Sequence, residues 1–114
     1  MLKMLEAYLS RLGHSVTSVN TTEKAWVEIE KAPEAYTVAV VDASMPGIRM
    51  YDLALRMLEA NHEMRVLVAS GYPVDMSPLE AAAPGRVAFL HKPFTPEMLA
   101  VAVRSLLGTK KTDI

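Results

Sequence analysis

The chain has 114 residues, a formal net charge of −1 and no cysteine, and 51% of its residues are hydrophobic. This length fits one domain with a single core. Without cysteine, disulfides and thiolate metal sites are excluded. With 12 basic against 13 acidic residues, no excess of positive charge favours nucleic acid or an anionic membrane. The longest apolar runs, such as 38–41, are too short to cross a bilayer. We therefore expect a cytoplasmic protein without nucleic-acid or membrane partners.

Helical and strand-like segments alternate along the chain, which opens on a helix. The first helix is predicted over roughly Leu2–Leu12, where leucines recur at spacings of three and four residues. Ser15–Val19 is predicted as a short strand because three of its five residues are β-branched. A second helix is predicted to begin near Asn20 or Thr21, where a short polar side chain can cap the first turn.

Two central segments have the composition of buried parallel strands. Thr37–Val41 is β-branched and apolar on both faces, and it ends at Asp42. Met64–Ala69 is the next predicted buried strand, apolar apart from Arg65, and it ends at Ser70. A third helix, about Tyr51–Ala60, connects them, as the crossover between parallel strands requires.

The C-terminal third repeats the alternation. Ser77 is a predicted N-cap, with proline at the first helical position, for a short helix. Val87–Leu90 is the last predicted strand, and Lys92 follows it closely. A final helix runs from the cap at Thr95 to Leu107, and residues 109–114 are expected to form a flexible tail. The whole pattern predicts an α/β domain over residues 1–108 with a parallel sheet.

Three predicted strands each end next to a residue with a reactive or charged side chain: Asp42, Ser70 and Lys92. Taken singly, none of these residues indicates a functional site, because aspartate and serine are common turn residues and lysine is usually solvated. In open α/β sheets, however, ligands bind outside the carboxyl ends of the strands. A carboxylate, a hydroxyl and an ammonium at that edge can hold a phosphoryl group together.

These strand ends carry a resemblance to a known family. The segments are VAVVDASMPG at 38–47, VLVASGY at 66–72 and VAFLHKPF at 87–94. With these segments the chain resembles the response-regulator receiver domain over nearly its whole length. The amino-acid sequences at 70–72 and 92–97 are similar to those of receivers in hybrid sensor kinases. The resemblance implies a flavodoxin-like, doubly wound parallel sheet of strand order 2-1-3-4-5. It also implies a signalling domain of a two-component phosphorelay rather than a turnover enzyme.

The resemblance further implies a role for each site residue. Asp42 would accept the phosphoryl group from a phosphohistidine of a histidine kinase or histidine phosphotransfer domain. Ser70 would bind the phosphate and draw its loop inward, and Phe89 would be the aromatic switch residue. Lys92 would pair with the phosphate, held by a cis peptide bond to the proline after it. Asp42 and the Ser44 carbonyl would be ligands of Mg²⁺. The output face would comprise the fourth helix, the last strand and the last helix.

One part of the family pattern is missing from the sequence. Receivers begin with an apolar strand that ends in two acidic residues, whereas this chain opens on its first helix, so we expect strand 1 and the acidic pair to be absent. The strands on either side would then lie about 10 Å apart, and Mg²⁺ binding would weaken. Three arrangements would fill or close this gap. They are a true strand upstream of Met1, direct pairing of the two flanking strands, and strand exchange or homodimerisation.

Two other functions stay open at this point. A degenerate receiver that lacks the metal pocket would act as a protein-interaction module without phosphorylation. A phosphatase of the haloacid dehalogenase type also combines aspartate, serine or threonine, and lysine. That class has Asp-x-Asp at its nucleophile, however, whereas this chain has Asp42-Ala43-Ser44.

Overall fold

The computed structural model describes residues 2–13, 15–44 and 47–108, and for residues 2–5 and 108 it describes the backbone only. Met45, Pro46 and the predicted tail at 109–114 lie outside the described residues. The described elements are α1 (Leu2–Arg11), α2 (Thr22–Lys31), a 3₁₀ turn (Pro33–Ala35), β1 (Val38–Asp42), α3 (Met50–Ala60), β2 (Arg65–Ser70), α4 (Ser77–Ala82), β3 (Val87–His91) and α5 (Pro96–Gly108).

The sheet is parallel, and its strands lie in the order β1-β2-β3. Val40 of β1 lies beside Leu67 of β2, and Leu67 lies beside Ala88 of β3. The α/β class and the parallel sheet are as predicted. The three strands correspond to the 3-4-5 part of the expected order, so each strand end with a candidate site residue is present at one edge.

Helices cover both faces of the sheet. Side chains of β2 alternate between two buried clusters, as the period-2 geometry of a strand requires. One cluster joins β2 to α2, α3 and α4 and includes Ile29, Leu53, Met57, Val66, Val68 and Leu79. The other joins β2 to α1 and α5 and includes Leu9, Leu67, Leu99, Val103 and Leu106. The central strand is therefore buried on both faces, which explains the apolar run at residues 66–69.

The prediction of a strand at Ser15–Val19 is wrong. The backbone of this segment belongs to no strand, and the described part of the chain has three strands instead of four. A strand is stabilised by the ladder it forms with a neighbour, and β-branched residues alone do not supply that neighbour. No strand lies between this segment and β1 among the described residues. A hydrogen bond of 3.3 Å from the Tyr36 hydroxyl to the Thr17 hydroxyl ties the segment to the chain before β1.

The outer edge of β1 is unpaired within the described residues. The Arg65 N–H donates to the Thr37 carbonyl and the Ala43 N–H donates to the Ala69 carbonyl, so odd-numbered residues bond to β2. In a parallel ladder the residues between them, 38, 40 and 42, direct their N–H and C=O groups away from β2. The side chain of Val40 is 41% exposed, although the strand sequence is that of a central strand.

The helix starts follow capping chemistry with one change from prediction. Thr21 caps α2 by accepting the Lys24 N–H at 3.1 Å, and Thr95 caps α5 by accepting the Met98 N–H at 3.1 Å. Ser77 lies inside α4 instead of capping it, and the carboxylate of Asp75 accepts the Ser77 N–H at 3.0 Å. None of the helices in the described ranges is long and apolar enough to span a membrane.

Candidate functional site

The three candidate residues lie at the carboxyl edge of the sheet. Asp42 ends β1, Ser70 ends β2, and Lys92 directly follows the last residue of β3. The ladder continues to the edge itself, because the Lys92 N–H donates to the Ser70 carbonyl at 2.8 Å. Parallel pairing of three apolar strands therefore brings together residues that are far apart in the sequence.

Asp42 and Lys92 form an ion pair. The Lys92 Nζ donates to the Asp42 Oδ2 at 2.5 Å, and the two side chains are 30% (Lys92) and 32% (Asp42) exposed. Strand alternation explains the contact, since Val38 packs with the α5 cluster and Asp42, four residues on, points to the same face. The peptide bond between Lys92 and Pro93 is cis, as predicted.

The second carboxylate oxygen of Asp42 is bound by Ser44. The Ser44 N–H donates to the Asp42 Oδ1 at 2.9 Å and the Ser44 hydroxyl donates to the same oxygen at 2.7 Å. We predicted a role for the Ser44 carbonyl only and did not predict these two donors. The Asp-x-Ser pattern was a usable signal, because an aspartate often accepts the N–H two residues on in an Asx turn.

The environment of Asp42 lowers its pKa below the ordinary value of 3.8. Partial burial acts in the opposite direction and raises the pKa. The hydrogen bonds from Lys92 and Ser44, together with the positive charge of Lys92, outweigh that burial. Asp42 is therefore ionised at neutral pH, which is the state that a nucleophilic carboxylate needs.

Ser70 lies on the other face of the sheet. It is 1% exposed, and its hydroxyl accepts the N–H of Tyr72 at 3.1 Å. Its position alternates with Leu67 of the α5 cluster and matches Val68 of the α3 and α4 cluster. The structure thus brings Asp42 and Lys92 into direct contact and holds the Ser70 hydroxyl in its own loop.

Phe89 belongs to the same face as Ser70. It is half-buried and packs against the cluster of α3 and α4, next to Val68 in the sheet register. Its ring lies edge-on to His91, with 6.3 Å between the ring centroids. This location suits an aromatic residue that responds to Ser70, and the switch role stays a prediction.

The residues described here do not fit a Mg²⁺ site. Mg²⁺ is held by hard oxygen ligands in octahedral geometry, usually with more than one carboxylate or phosphate among them. Residues 2–13, 15–44 and 47–108 contain no group of three histidine, cysteine or acidic side chains able to hold a metal. Asp42 is the carboxylate among the three candidate residues, and its two oxygens accept hydrogen bonds from Lys92 and Ser44. The geometry of the described residues therefore gives no support to Mg²⁺ binding through Asp42 and Ser44, which stays a prediction from the family resemblance.

A model of the response regulator receiver domain family matches residues 1–104. The chain belongs to this family. The receiver domain is a signalling domain of two-component systems, and the family generally binds Mg²⁺. This membership favours the signalling hypothesis over the phosphatase hypothesis.

Individual relatives agree with the family and the fold. The chain is 29% identical over 109 residues to the DNA-binding transcriptional regulator NtrC of Rhizobium meliloti (strain 1021), an alignment that covers 95% of this chain and 22% of NtrC. A CheY-like receiver domain from Methanospirillum hungatei JF-1 superposes with a TM-score of 0.81 at 21% identity, over 99% of this chain and 89% of that one. The BeF3-activated receiver domain of DrrB, a Thermotoga maritima protein, gives 0.73 at 28% identity, over 94% and 87%. This receiver domain thus spans about a fifth of the length of NtrC.

Proposed function

We propose that this receiver domain takes a phosphoryl group from a phosphohistidine onto Asp42 and thereby changes a protein-interaction face. The observation that carries the proposal is the contact between Asp42 and Lys92 at the carboxyl edge of the sheet. An ionised carboxylate is the nucleophile, and an ammonium beside it offsets the negative charge of the incoming group. The donor is a histidine kinase or histidine phosphotransfer domain, and the transfer takes place in the cytoplasm.

The transfer balances without a further reactant. A carboxylate oxygen of Asp42 forms a bond to phosphorus as the bond between phosphorus and the histidine nitrogen breaks. The electron pair of that bond leaves with the imidazole nitrogen, and because the other ring nitrogen of the phosphohistidine carries a proton, the leaving group departs as neutral imidazole. Lys92 then shifts its hydrogen bond from the Asp42 Oδ2 to a phosphoryl oxygen, which keeps the ammonium next to negative charge.

The switch begins at Ser70. A phosphoryl group on Asp42 offers new acceptor oxygens, and the Ser70 hydroxyl, which accepts the Tyr72 N–H, retains its own proton to donate to one of them. Phe89 packs on the same face and follows the displaced loop. The change reaches α4, β3 and α5, which we propose as the output face.

The proposal is tested by phosphorylation with acetyl phosphate, read by intact mass. We expect a gain of one phosphoryl group, and we expect Asp42→Asn to abolish it because the amide cannot act as the nucleophile. Reactions with and without Mg²⁺ measure how far the metal is needed. A gain of mass that persists in Asp42→Asn would show that the phosphoryl group goes elsewhere and would refute the assignment.

A second candidate is an interaction module that works without phosphorylation. It is favoured by the contacts of Asp42, because both oxygens of its carboxylate already accept hydrogen bonds from Lys92 and Ser44. In that case acetyl phosphate with Mg²⁺ leaves the mass unchanged, and Asp42→Asn retains partner binding. Loss of partner binding in the asparagine variant would contradict this second candidate.

A further inference from the structure

Tyr51 connects two segments that leave the carboxyl edge of the sheet. It lies in the first turn of α3, the helix that follows the Asp42 loop, and its ring packs against the core. Its hydroxyl donates to the Asp75 carbonyl at 2.5 Å. Asp75 belongs to residues 71–76, which follow Ser70 and which we call the Ser70 loop. The contact therefore joins the helix that follows Asp42 in the sequence to the loop that follows Ser70.

Val74 and Met76 of the Ser70 loop pack against the core cluster of α3 and α4, but the loop has few other hydrogen bonds. At its start the Tyr72 N–H donates to the Ser70 hydroxyl, and at its end the Asp75 carboxylate accepts the Ser77 N–H of α4. Both of these bonds are local along the chain. Among the residues described, the Tyr51 hydroxyl bonds to this loop from an element that is not adjacent to it in the sequence. Asp75 thus receives a cap bond and a bond from α3, and it couples the position of the loop to the start of α4.

We propose that the Tyr51 hydroxyl is a positioning group that holds the Ser70 loop in its present place and opposes the shift of Ser70 toward a phosphorylated Asp42. This inference rests on the proposed function, because it names what regulates the switch at that site. Inward movement of the whole loop would carry the Asp75 carbonyl away from the Tyr51 hydroxyl and break this bond. One net hydrogen bond corresponds to about a fivefold change in an equilibrium constant, so its loss shifts the switch toward the active arrangement by about that factor.

The test compares Tyr51→Phe with the full wild-type chain. Phenylalanine keeps the ring in the core and removes only the hydroxyl. Tyr36→Phe is the matched control, because it also removes a tyrosine hydroxyl, one that contacts Thr17 and Glu28. Tyr36 precedes β1 at the opposite end of the sheet, so this control changes stability without touching the Ser70 loop.

Two measurements are made on each variant. In the unphosphorylated chain, hydrogen exchange of the backbone amides of residues 74–76 is expected to be several-fold faster in Tyr51→Phe than in wild type or Tyr36→Phe. In a titration with beryllofluoride and Mg²⁺, followed by the amide resonances of Ser70 and Phe89, the midpoint concentration is expected to fall about fivefold in Tyr51→Phe only.

The outcomes separate this inference from the proposed function. If wild type and Tyr36→Phe bind beryllofluoride and Tyr51→Phe shows the same midpoint, the positioning role is refuted while the phosphoacceptor function stands. Unchanged amide exchange in Tyr51→Phe also refutes the inference, since the hydroxyl then restrains nothing. If none of the three proteins binds beryllofluoride, both the function and the regulation proposed for it are wrong.

Discussion

The central strand β2 and the edge strand β1 have similar sequences and different surroundings. Residues 38–41 of β1 and 66–69 of β2 are apolar on both faces, yet Val68 of β2 is fully buried whereas Val40 of β1 is 41% exposed. β2 has a neighbouring strand on each side, whereas β1 has one on one side only among the described residues. An apolar sequence thus allows the side chains of a strand to be buried, but the elements beside the strand determine how far they are buried.

The site residues at the ends of these two strands also differ in their exposure to solvent. Ser70 ends the central strand and is almost completely buried, whereas Asp42 ends the edge strand and is about one-third exposed. A phosphoacceptor has to be reached by a partner protein, and a switch residue has to act on packed neighbours. The two roles proposed for these residues therefore match the two kinds of strand that carry them.

We expect the largest effect on stability from a comparison of one valine substitution in each strand. Val68→Ala removes two buried methyl groups from the closed core and should lower the free energy of unfolding by about 2.5 kcal/mol. Val40→Ala removes the same atoms from a partly exposed edge and should cost about 0.5 kcal/mol. Urea denaturation of both variants measures the difference. Equal losses would mean that the edge of β1 is covered in solution and that the contrast between the strands is wrong.

A glycine substitution tests the packing around the loop that leaves the edge strand. Gly47 has a φ of +109°, and a Cβ there would lie 2.5 Å from the Thr22 Oγ1 of α2. Gly47→Ala should therefore destabilise the chain by about 2 kcal/mol, through both backbone strain and this collision. Gly85→Ala is the control, since Gly85 has a φ of +76° and open space around it.

For that control we expect a loss of only about 1 kcal/mol. Thermal denaturation of both variants gives the comparison. If Gly47→Ala is no worse than Gly85→Ala, Thr22 yields without cost and α2 packs loosely against this loop.

The smallest expected effect is the pH dependence of the Asp42–Lys92 pair. The folded-state pKa of Asp42 is lowered, so its ionised form contributes stability that is fully present above the unfolded value of 3.8 and is lost as the pH falls through the folded pKa. Lys92→Met removes the ion pair. Because both side chains are about one-third exposed, we expect the wild type to be more stable by less than about 1 kcal/mol.

This difference between wild type and Lys92→Met should be seen in urea denaturation near neutral pH and should shrink on acidification below 3.8. A difference that stays the same down to acidic pH would show that Lys92 stabilises the fold through its packing and not through the carboxylate of Asp42.

The placement of the three candidate residues at one edge of the sheet agrees with the prediction, whereas the number of strands does not. Asp42, Ser70 and Lys92 could be placed at one edge because each ends or follows an apolar run and parallel strands end at a common edge. The β-branched composition of 15–19 predicts a strand that does not form, because a ladder needs a neighbour that local composition does not reveal.

The remaining contacts depend on how the elements pack. The bond from Tyr51 to Asp75 joins residues 24 positions apart and follows from the placement of α3 beside the Ser70 loop. The two bonds from Ser44 to Asp42 are local, and their Asp-x-Ser pattern could have revealed them. A hydrogen bond can thus be predicted from the sequence when both partners lie in one turn.

The central claim is that Asp42 accepts a phosphoryl group from a nitrogen–phosphorus donor. The most direct measurement treats the chain with phosphoramidate and Mg²⁺, reduces any acyl phosphate with borohydride and locates the reduced residue by peptide mass spectrometry. We predict reduction at residue 42 in the wild type and none in Asp42→Asn. An unmodified chain, or a reduced residue at any other position, would contradict the assignment of Asp42 as the phosphoacceptor.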